Sequence, residues 1–257
     1  MNPNELKKNL SAFVAEMRYF ETIGSTNDEA LAWAAQGASD MSLVIADEQT
    51  SGRGRSSRRW FTPKGTALAF SLILRPTAAE FSHPSRIVGL AALSLASACL
   101  KLGLSVHIKW PNDVLINRRK VAGILVESVW TGEALDAMIV GVGVNVKSES
   151  VPPADQLSFP ATSLEGESKS PVNRVDLLQA ILSALVVWRV KLDSDEFMRA
   201  WEEALAFRGE QVQIVKDGAA AITGELLGLE PDGSLRLRDA GDNILAVQVG
   251  EIHLRPV

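Results

Sequence analysis

Gly52-Arg53-Gly54-Arg55-Ser56-Ser57-Arg58-Arg59-Trp60 lies between two apolar runs, Ser42-Leu43-Val44-Ile45-Ala46-Asp47-Glu48-Gln49 and Ala67-Leu68-Ala69-Phe70-Ser71-Leu72-Ile73-Leu74, and the rest of the chain is organised around it. Both runs have the composition of buried strands. A long glycine-containing connection between core strands is uncommon unless it binds something or covers a site, and functional loops tend to be held by rigid elements. The loop puts four arginines, two glycines and a tryptophan into nine residues. Glycine admits left-handed angles and close approach of backbone to a ligand. The arginine fork fits carboxylate and phosphate, and an indole offers a face on which a base can stack. A solvated basic loop would account for the arginines alone. The flanking strands and the tryptophan favour a site for an anion attached to an aromatic group, such as a nucleotide.

Toward the amino end, residues 5 to 17 read as a short amphipathic helix and Arg18 to Thr22 as a strand. One helix is too little for a helix-turn-helix module. Gly24-Ser25-Thr26-Asn27-Asp28-Glu29 then opens a helix through Ala35, with Ser25 or Thr26 as cap and Asp28 or Glu29 closing a capping box. Hydroxyls and an amide at a helix start can also bind a polar ligand.

Toward the carboxyl end, residues 84 to 103 read as a buried scaffold helix, with Pro84 in its first turn and Gly103 at its stop. Val106 to Trp110 is a strand ending at the turn Pro111-Asn112-Asp113. Val114 to Asn117 and Lys120 to Glu127 make a hairpin around Arg118-Arg119, and Thr131-Gly132 marks the next turn. Ala137 to Val146 is a strand with Gly141 and Gly143 inside it; interior glycine suggests that something approaches the backbone there. Residues 147 to 170 are expected to be a long loop. Two helices follow, capped by Asn173 and Ser194, with Gly209 as a stop. Short alternating strands at 211–215, 221–229, 234–238, 244–249 and 252–255, punctuated by Asp217-Gly218, Asp232-Gly233 and Gly241-Asp242, then predict a small β-barrel. The expected division is a domain over 1–208 and a barrel over 209–257.

With 257 residues, 46% hydrophobic and 22% charged, the chain is a globular protein. Its single cysteine, Cys99, sits among small apolar neighbours and reads as core; His83, His107 and His253 lack metal-ligand spacing. No apolar run is long enough to span a membrane and the amino terminus is not a signal peptide, which predicts a cytoplasmic protein. An arginine cluster inside a chain of net charge −5 points to a small anionic ligand rather than a nucleic acid.

Taken together, Gly-Arg-Gly-Arg at 52–55 with Trp60, Lys-Trp-Pro-Asn-Asp at 109–113, Lys120-Val121-Ala122-Gly123-Ile124-Leu125 and Gly141-Val142-Gly143-Val144-Asn145 resemble the biotin protein ligases, in order and spacing as well as in residues. The resemblance covers the chain from about Ser25. It implies an α+β fold, with a mixed-sheet catalytic domain of the biotin/lipoate ligase type (class II synthetase-like) before an SH3-like β-barrel. It looks like the short form, without an amino-terminal DNA-binding domain. The implied reaction is attack of the biotin carboxylate on the α-phosphate of ATP, followed by transfer from biotinyl-5′-AMP to a lysine of a biotin carboxyl carrier protein. Mg²⁺ would accompany ATP, with no metal ligands assignable. A homodimer is left open, and neither DNA nor a membrane is expected as partner.

The resemblance also implies roles. Arg53 and Lys120 would be catalytic, holding the biotin carboxylate and α-phosphate together against their mutual repulsion. Ser25, Thr26, Asn27, Gln49, Gly54, Arg55 and Gly123 would join them around biotin, with Ser25, Thr26, Asn27 and Gln49 pairing its ureido ring. Arg55, Arg58, Trp60, Lys109, Asn112 and Asn145 would serve the nucleotide, with Trp60 stacked on adenine. Gly123 and Gly143 would leave room for ligand beside the sheet. In the empty loop the arginines are expected to repel one another. A lipoate–protein ligase is the near alternative, disfavoured because lipoate has no ureido group for residues 25–27 and Gln49. A nucleic-acid-binding regulator is the remote one, disfavoured by the acidic charge.

Overall fold

The computed structural model describes residues 1–216, 221–248 and 252–256, with side chains described through Val215 and over 221–248. The expected turn at Asp217-Gly218 lies outside the described residues. β1 (Met17–Phe20), β2 (Ser42–Ala46), β3 (Ala67–Leu74), β4 (His107–Lys109), β5 (Asp113–Ile116), β6 (Arg119–Thr131) and β7 (Ala134–Asn145) make a mixed sheet in the order β1-β2-β3-β7-β6-β5-β4. Only β1 and β2 run parallel. β3 has the bounds read from its apolar run and is buried along its whole length.

Seven helices, α1 (Pro3–Leu10), α2 (Thr26–Ala35), α3 (Ala78–Ser82), α4 (Arg86–Lys101), α5 (Leu164–Ser168), α6 (Arg174–Val190) and α7 (Asp195–Glu203), complete this part. The period-2 alternation of the strands sorts them onto two faces. Leu68, Phe70 and Leu72 of β3 and Val140, Val142 and Val144 of β7 share a core with Leu90 and Leu93 of α4 and Leu178, Ile181 and Leu182 of α6. Ile73, Ala137 and Ile139 point the other way, against Ala30, Trp33 and Ala34 of α2. Each such aliphatic side chain contributes about 1.5–3 kcal/mol by leaving water. Cys99 lies in the main core, and burial pushes its thiol up to about 12, as a core reading of this residue requires.

Several boundaries differ from expectation. The first helix starts earlier, because Asn2 caps it and Pro3 suits its first turn, and it stops at Leu10. The hairpin after β5 turns on Asn117 and Arg118, both at positive φ (49° and 60°), one residue before Arg118-Arg119. Residues 147–170 are not a plain loop. They hold single 3₁₀ turns at 148–150 and 154–156 and the capped helix α5, whose Ser163 hydroxyl accepts from Gly166 N at 3.3 Å.

β8 (Gln211–Lys216), β9 (Ile222–Leu229), β10 (Leu235–Arg238), β11 (Ile244–Val247) and β12 (Ile252–Pro256) form a second, fully antiparallel sheet in the order β11-β10-β9-β8-β12. Among the described residues no pairing closes this order into a ring, and the small antiparallel sheet is consistent with the expected SH3-like domain.

Candidate functional site

The face of the large sheet that carries α2 also carries a floor of small residues. Register lines up Ala69, Gly143, Gly123, Asp113 and Lys109 as successive cross-strand partners on β3, β7, β6, β5 and β4. A second row places Ser71, Gly141 and Leu125 side by side. Over this floor opens a cleft of about 760 Å³. Its lining includes every residue singled out from the sequence: Ser25, Thr26, Asn27, Gln49, Arg53, Gly54, Arg55, Arg58, Trp60, Lys109, Asn112, Lys120, Gly123 and Asn145. The chain from 150 to 161 supplies further lining, Phe159 among it.

One wall is a continuous hydrogen-bonded set at the start of α2. Gln49 Oε1 accepts from Thr26 N (2.8 Å) and Thr26 Oγ1 (3.1 Å), while Gln49 Nε2 donates to Thr62 Oγ1 (3.1 Å). Ser71 Oγ donates to Asn27 Oδ1 (2.5 Å), and Asn27 Nδ2 donates to Glu127 Oε2 (2.8 Å). The expected capping box is not made. Ser25 is the cap residue, yet its side chain makes no bond to the helix. Gln49 serves Thr26 N instead, Asp28 is drawn to Arg53 and Glu29 to Arg18. Ser25, Thr26 and Asn27 are almost fully buried, so their polar groups face the cleft or one another rather than bulk water.

The arginine loop is a small hairpin. Trp60 N donates to Gly52 O (2.8 Å) and Gly54 N to Arg58 O (2.7 Å). Its left-handed residues are Ser56 (φ 52°) and Ser57 (φ 59°), not the glycines. Gly52 is needed for a different reason: a Cβ there would lie 2.5 Å from Trp60 O. Nor is Arg53 left facing other arginines. Its guanidinium reaches Asp28 Oδ1 at 2.5 Å and Glu127 Oε1 at 2.6 Å. Burial works to lower its pKa, and the two carboxylates outweigh that and raise it.

The second group of charges is built on Asp113. Lys120 Nζ lies 2.6 Å from Asp113 Oδ1 and Lys109 Nζ 3.6 Å from Asp113 Oδ2. Burial pushes this carboxyl up, but the two lysines outweigh burial and hold it below the usual carboxylate range. Asn112 is fixed to β6 by Nδ2 to Ile124 O (2.7 Å), and Asn145 Nδ2 donates to Thr162 O (3.0 Å). Arg55 Nη1 approaches Asn112 Oδ1 at 3.4 Å.

Part of the room beside the floor glycines is taken by the protein's own side chains. A Cβ on Gly143 would lie 2.3 Å from the Trp60 indole, one on Gly123 3.2 Å from the same ring, and one on Gly141 2.0 Å from Asn27 Oδ1. Gly123 and Gly143 line the cleft, and their missing side chains also let the Trp60 ring settle against the sheet. A flat ring can reach full contact with a strand only where no side chain intervenes. Lys120 Nζ stands 5.4 Å from the centre of that ring. Among the described residues the buried Trp60 Nε1 has no hydrogen-bond partner, and no three His, Cys, Asp or Glu residues converge as a metal site.

Residues 19–145 match the model of the Biotin/lipoate A/B protein ligase family. The chain is 38% identical over 226 residues to the biotin–[acetyl-CoA-carboxylase] ligase of Paracoccus denitrificans, covering 83% of this chain and 90% of that protein. The chain belongs to the biotin protein ligase family. The corresponding ligase of Mycobacterium tuberculosis is 33% identical over 244 residues, 90% of this chain and 86% of the relative. Among solved structures, the biotin protein ligase of Aquifex aeolicus in complex with biotin and ATP superposes with a TM-score of 0.81 at 28% identity, covering 95% of this chain and all of that one.

In this family member the residues that sequence reasoning passed over are mostly counter-charges. Asp113 stood inside a quoted motif, and the need of Lys109 and Lys120 for an anion would have singled it out. Glu127 shares strand parity with Gly123, which puts it on the cleft face. Asp28 was assigned to a cap, and nothing local marks it as a partner of Arg53.

Proposed function

We propose that the chain activates biotin with ATP and transfers it to one lysine of a biotin carboxyl carrier protein, a subunit of acetyl-CoA carboxylase or a related carboxylase. In the first step a biotin carboxylate oxygen attacks the α-phosphorus, the bond to pyrophosphate breaks, and biotinyl-5′-AMP forms. In the second the neutral ε-amine of the carrier lysine attacks the acyl carbon, the carbon–oxygen bond breaks, AMP leaves and the amine gives up a proton. The observation that carries this reading is the convergence, on one cleft, of a hydrogen-bonding wall at Ser25, Thr26, Asn27 and Gln49 with the paired cations of Lys120 and Lys109. The wall suits a ureido ring, since buried polar groups must be paired and a site that pairs them rejects a ligand that cannot.

The cations address the obstacle to the first step, which brings an anion against a polyanion. Lys109 and Lys120 flank Asp113, and two cations around one carboxylate favour an incoming phosphate or carboxylate. One fixed donor aimed at developing charge contributes roughly 3–4 kcal/mol. In this reading Lys120 and Arg53 act at the reacting groups, and Asp28 and Glu127 hold the Arg53 fork in place. Trp60, backed by its glycine cradle, offers its outer face to adenine. Arg55, Arg58, Asn112 and Asn145 line the nucleotide side. The donor set suits Mg²⁺ that stays with the ATP phosphates, because such an ion keeps most of its ligands as waters and phosphate oxygens. Use of ATP supports a cytoplasmic place of action, and no helix of the described residues is long and apolar enough to cross a membrane. We also place the domain division near 208/209.

The test is mass spectrometry of a carrier domain incubated with the protein, MgATP and either biotin or lipoate, with pyrophosphate release followed in parallel. Addition of one biotinyl group is expected. Lipoylation in preference to biotinylation, or no pyrophosphate with either acid, overturns the proposal.

A further inference from the structure

The turn between β9 and β10, Glu230 to Ser234, presents three successive carbonyls to side chains from the first part of the chain. Arg86 at the start of α4 donates to Pro231 O from Nε (3.1 Å) and Nη2 (2.6 Å), and its Nη1 donates to Leu192 O (2.8 Å). Ser85 Oγ donates to Asp232 O. Trp110 Nε1 donates to Gly233 O at 3.1 Å. Arg86 and Trp110 are both buried, so these bonds are made out of water, where an unpaired carbonyl is costly.

The turn itself is stiff. Glu230 N donates to Ser234 O (2.8 Å), Gly233 N to Glu230 O (2.9 Å) and Ser234 N to Asp232 Oδ1 (2.8 Å). Gly233 sits at φ +83°, and a Cβ there would lie 2.9 Å from the Trp201 ring. It is therefore a fixed template rather than a loop that follows its partner.

What it templates is the stretch from Lys109 to Asp113. Trp110 lies between Lys109 and the Pro111-Asn112-Asp113 turn, so the indole and the cleft residues share one short piece of backbone. The same piece is held again on its strand side, where Ile108 N donates to Ala204 O (2.7 Å) and Ala206 N donates to Ile108 O (2.9 Å). Those partners belong to the segment that leads into the second sheet. The backbone carrying Lys109, Asn112 and Asp113 is thus held by the 230–234 turn of the second sheet and by residues 204–206 just before that sheet.

We infer that Trp110 is a positioning residue for the nucleotide side of the cleft, and that the 230–234 turn of the second sheet sets it through the Gly233 carbonyl. Through this contact the second sheet acts on the nucleotide side of the reaction. This rests on the reading of Lys109 and Asn112 as nucleotide-side residues given above.

Trp110→Phe removes the N–H and keeps the ring, and Arg86→Lys keeps the charge and loses the two-pronged grip on Pro231 O. Each is measured in the full chain for biotin affinity, for KM of ATP in pyrophosphate release, and for melting temperature. Both variants are expected to raise KM for ATP by about tenfold, the effect of one lost hydrogen bond, with biotin affinity unchanged. A fall in melting temperature with KM for ATP unchanged, or equal losses for both substrates, overturns the inference. Asn112→Ala serves as the control. If it too leaves KM for ATP unchanged, the nucleotide-side reading fails; if it raises KM while Trp110→Phe and Arg86→Lys do not, only the inference fails. Should Trp110→Phe not fold, Arg86→Lys and Ser85→Ala, which cut the same turn loose without touching the core ring, carry the test.

Discussion

Gly143→Ala tests whether the cradle under Trp60 governs nucleotide binding. The added Cβ would lie 2.3 Å from both Nε1 and Cε2 of the indole, where an ordinary contact is about 3.5–4.0 Å. The ring must therefore retreat by more than about 1 Å. The floor cannot give way, because β7 is paired on both sides, to β3 and to β6. The loop is the softer partner. Two effects on stability oppose each other: replacing glycine inside a strand gains about 0.5–1 kcal/mol, and lifting the indole loses part of its packing. The melting temperature should move little. ATP binding should not be spared, since stacking of a base on an aromatic ring contributes about 1–3 kcal/mol. Losing it weakens binding between about fivefold and about 150-fold. The biotin-side groups at 25–27 and Gln49 lie on another wall and should keep their affinity. Calorimetry with biotin and with a non-hydrolysable ATP analogue, alongside scanning calorimetry of the free protein, measures all three. Unchanged ATP affinity would mean that the cradle does not set the ring. Equal losses for both ligands would mean that Gly143 merely shapes the whole cleft.

Trp60→Ala should likewise weaken ATP binding by about 1–3 kcal/mol and biotin binding far less, and equal losses in calorimetry would mark a purely structural tryptophan. Lys120→Ala should slow pyrophosphate release by roughly 10²–10³-fold. It should also lower the melting temperature, because it strips half-buried Asp113 of its nearer cation; adding Asp113→Asn should recover stability without recovering activity, and a recovered rate would remove Lys120 from the chemistry. Asp113 is held below its ordinary pKa, so its ion pairs contribute stability that is complete above about pH 4, its unfolded value, and is lost as pH falls through the folded value. The melting temperature of Asp113→Asn should accordingly converge on that of the parent in acid, and a constant difference across pH would contradict the assignment. Trypsin should cut the 53–59 loop more slowly with biotin plus the ATP analogue than without, as judged by fragment masses; an unchanged rate means that the loop does not close over ligand.

The fold was legible where local chemistry and tertiary demand agree. The all-apolar run of β3 kept its bounds, and Asn173 and Ser194 cap α6 and α7 by accepting from backbone amides within their first turns. The members of the site were legible for a related reason, since glycines inside strands and arginines inside a loop violate local preference. What sequence could not give were decisions made between distant residues. Whether Ser25 or Gln49 serves the start of α2 depends on where residue 49 arrives in space. The left-handed pair Ser56-Ser57 carries no Asn-Gly signal, so the hairpin within the loop was hidden. The glycines declared that something comes close, and only register could say that it is Asn27 and Trp60.

The floor of the cleft also restricts which lengths of chain can be inherited. Ala69, Gly143, Gly123, Asp113 and Lys109 meet because five strands keep step. Adding or deleting a single residue within β5, β6 or β7 would turn that strand's cleft-facing side chains inward and bring bulky valines or leucines up beneath Trp60. The chain between Ser148 and Phe159, by contrast, holds only two single 3₁₀ turns before residues 160–162 pair with Lys120, and can lengthen or shorten at its tip. Single-residue insertion scanning should therefore find the strands intolerant at every position, with tolerance beginning abruptly at their ends, so that the history of this protein is written in substitutions on the floor and in indels on the rim.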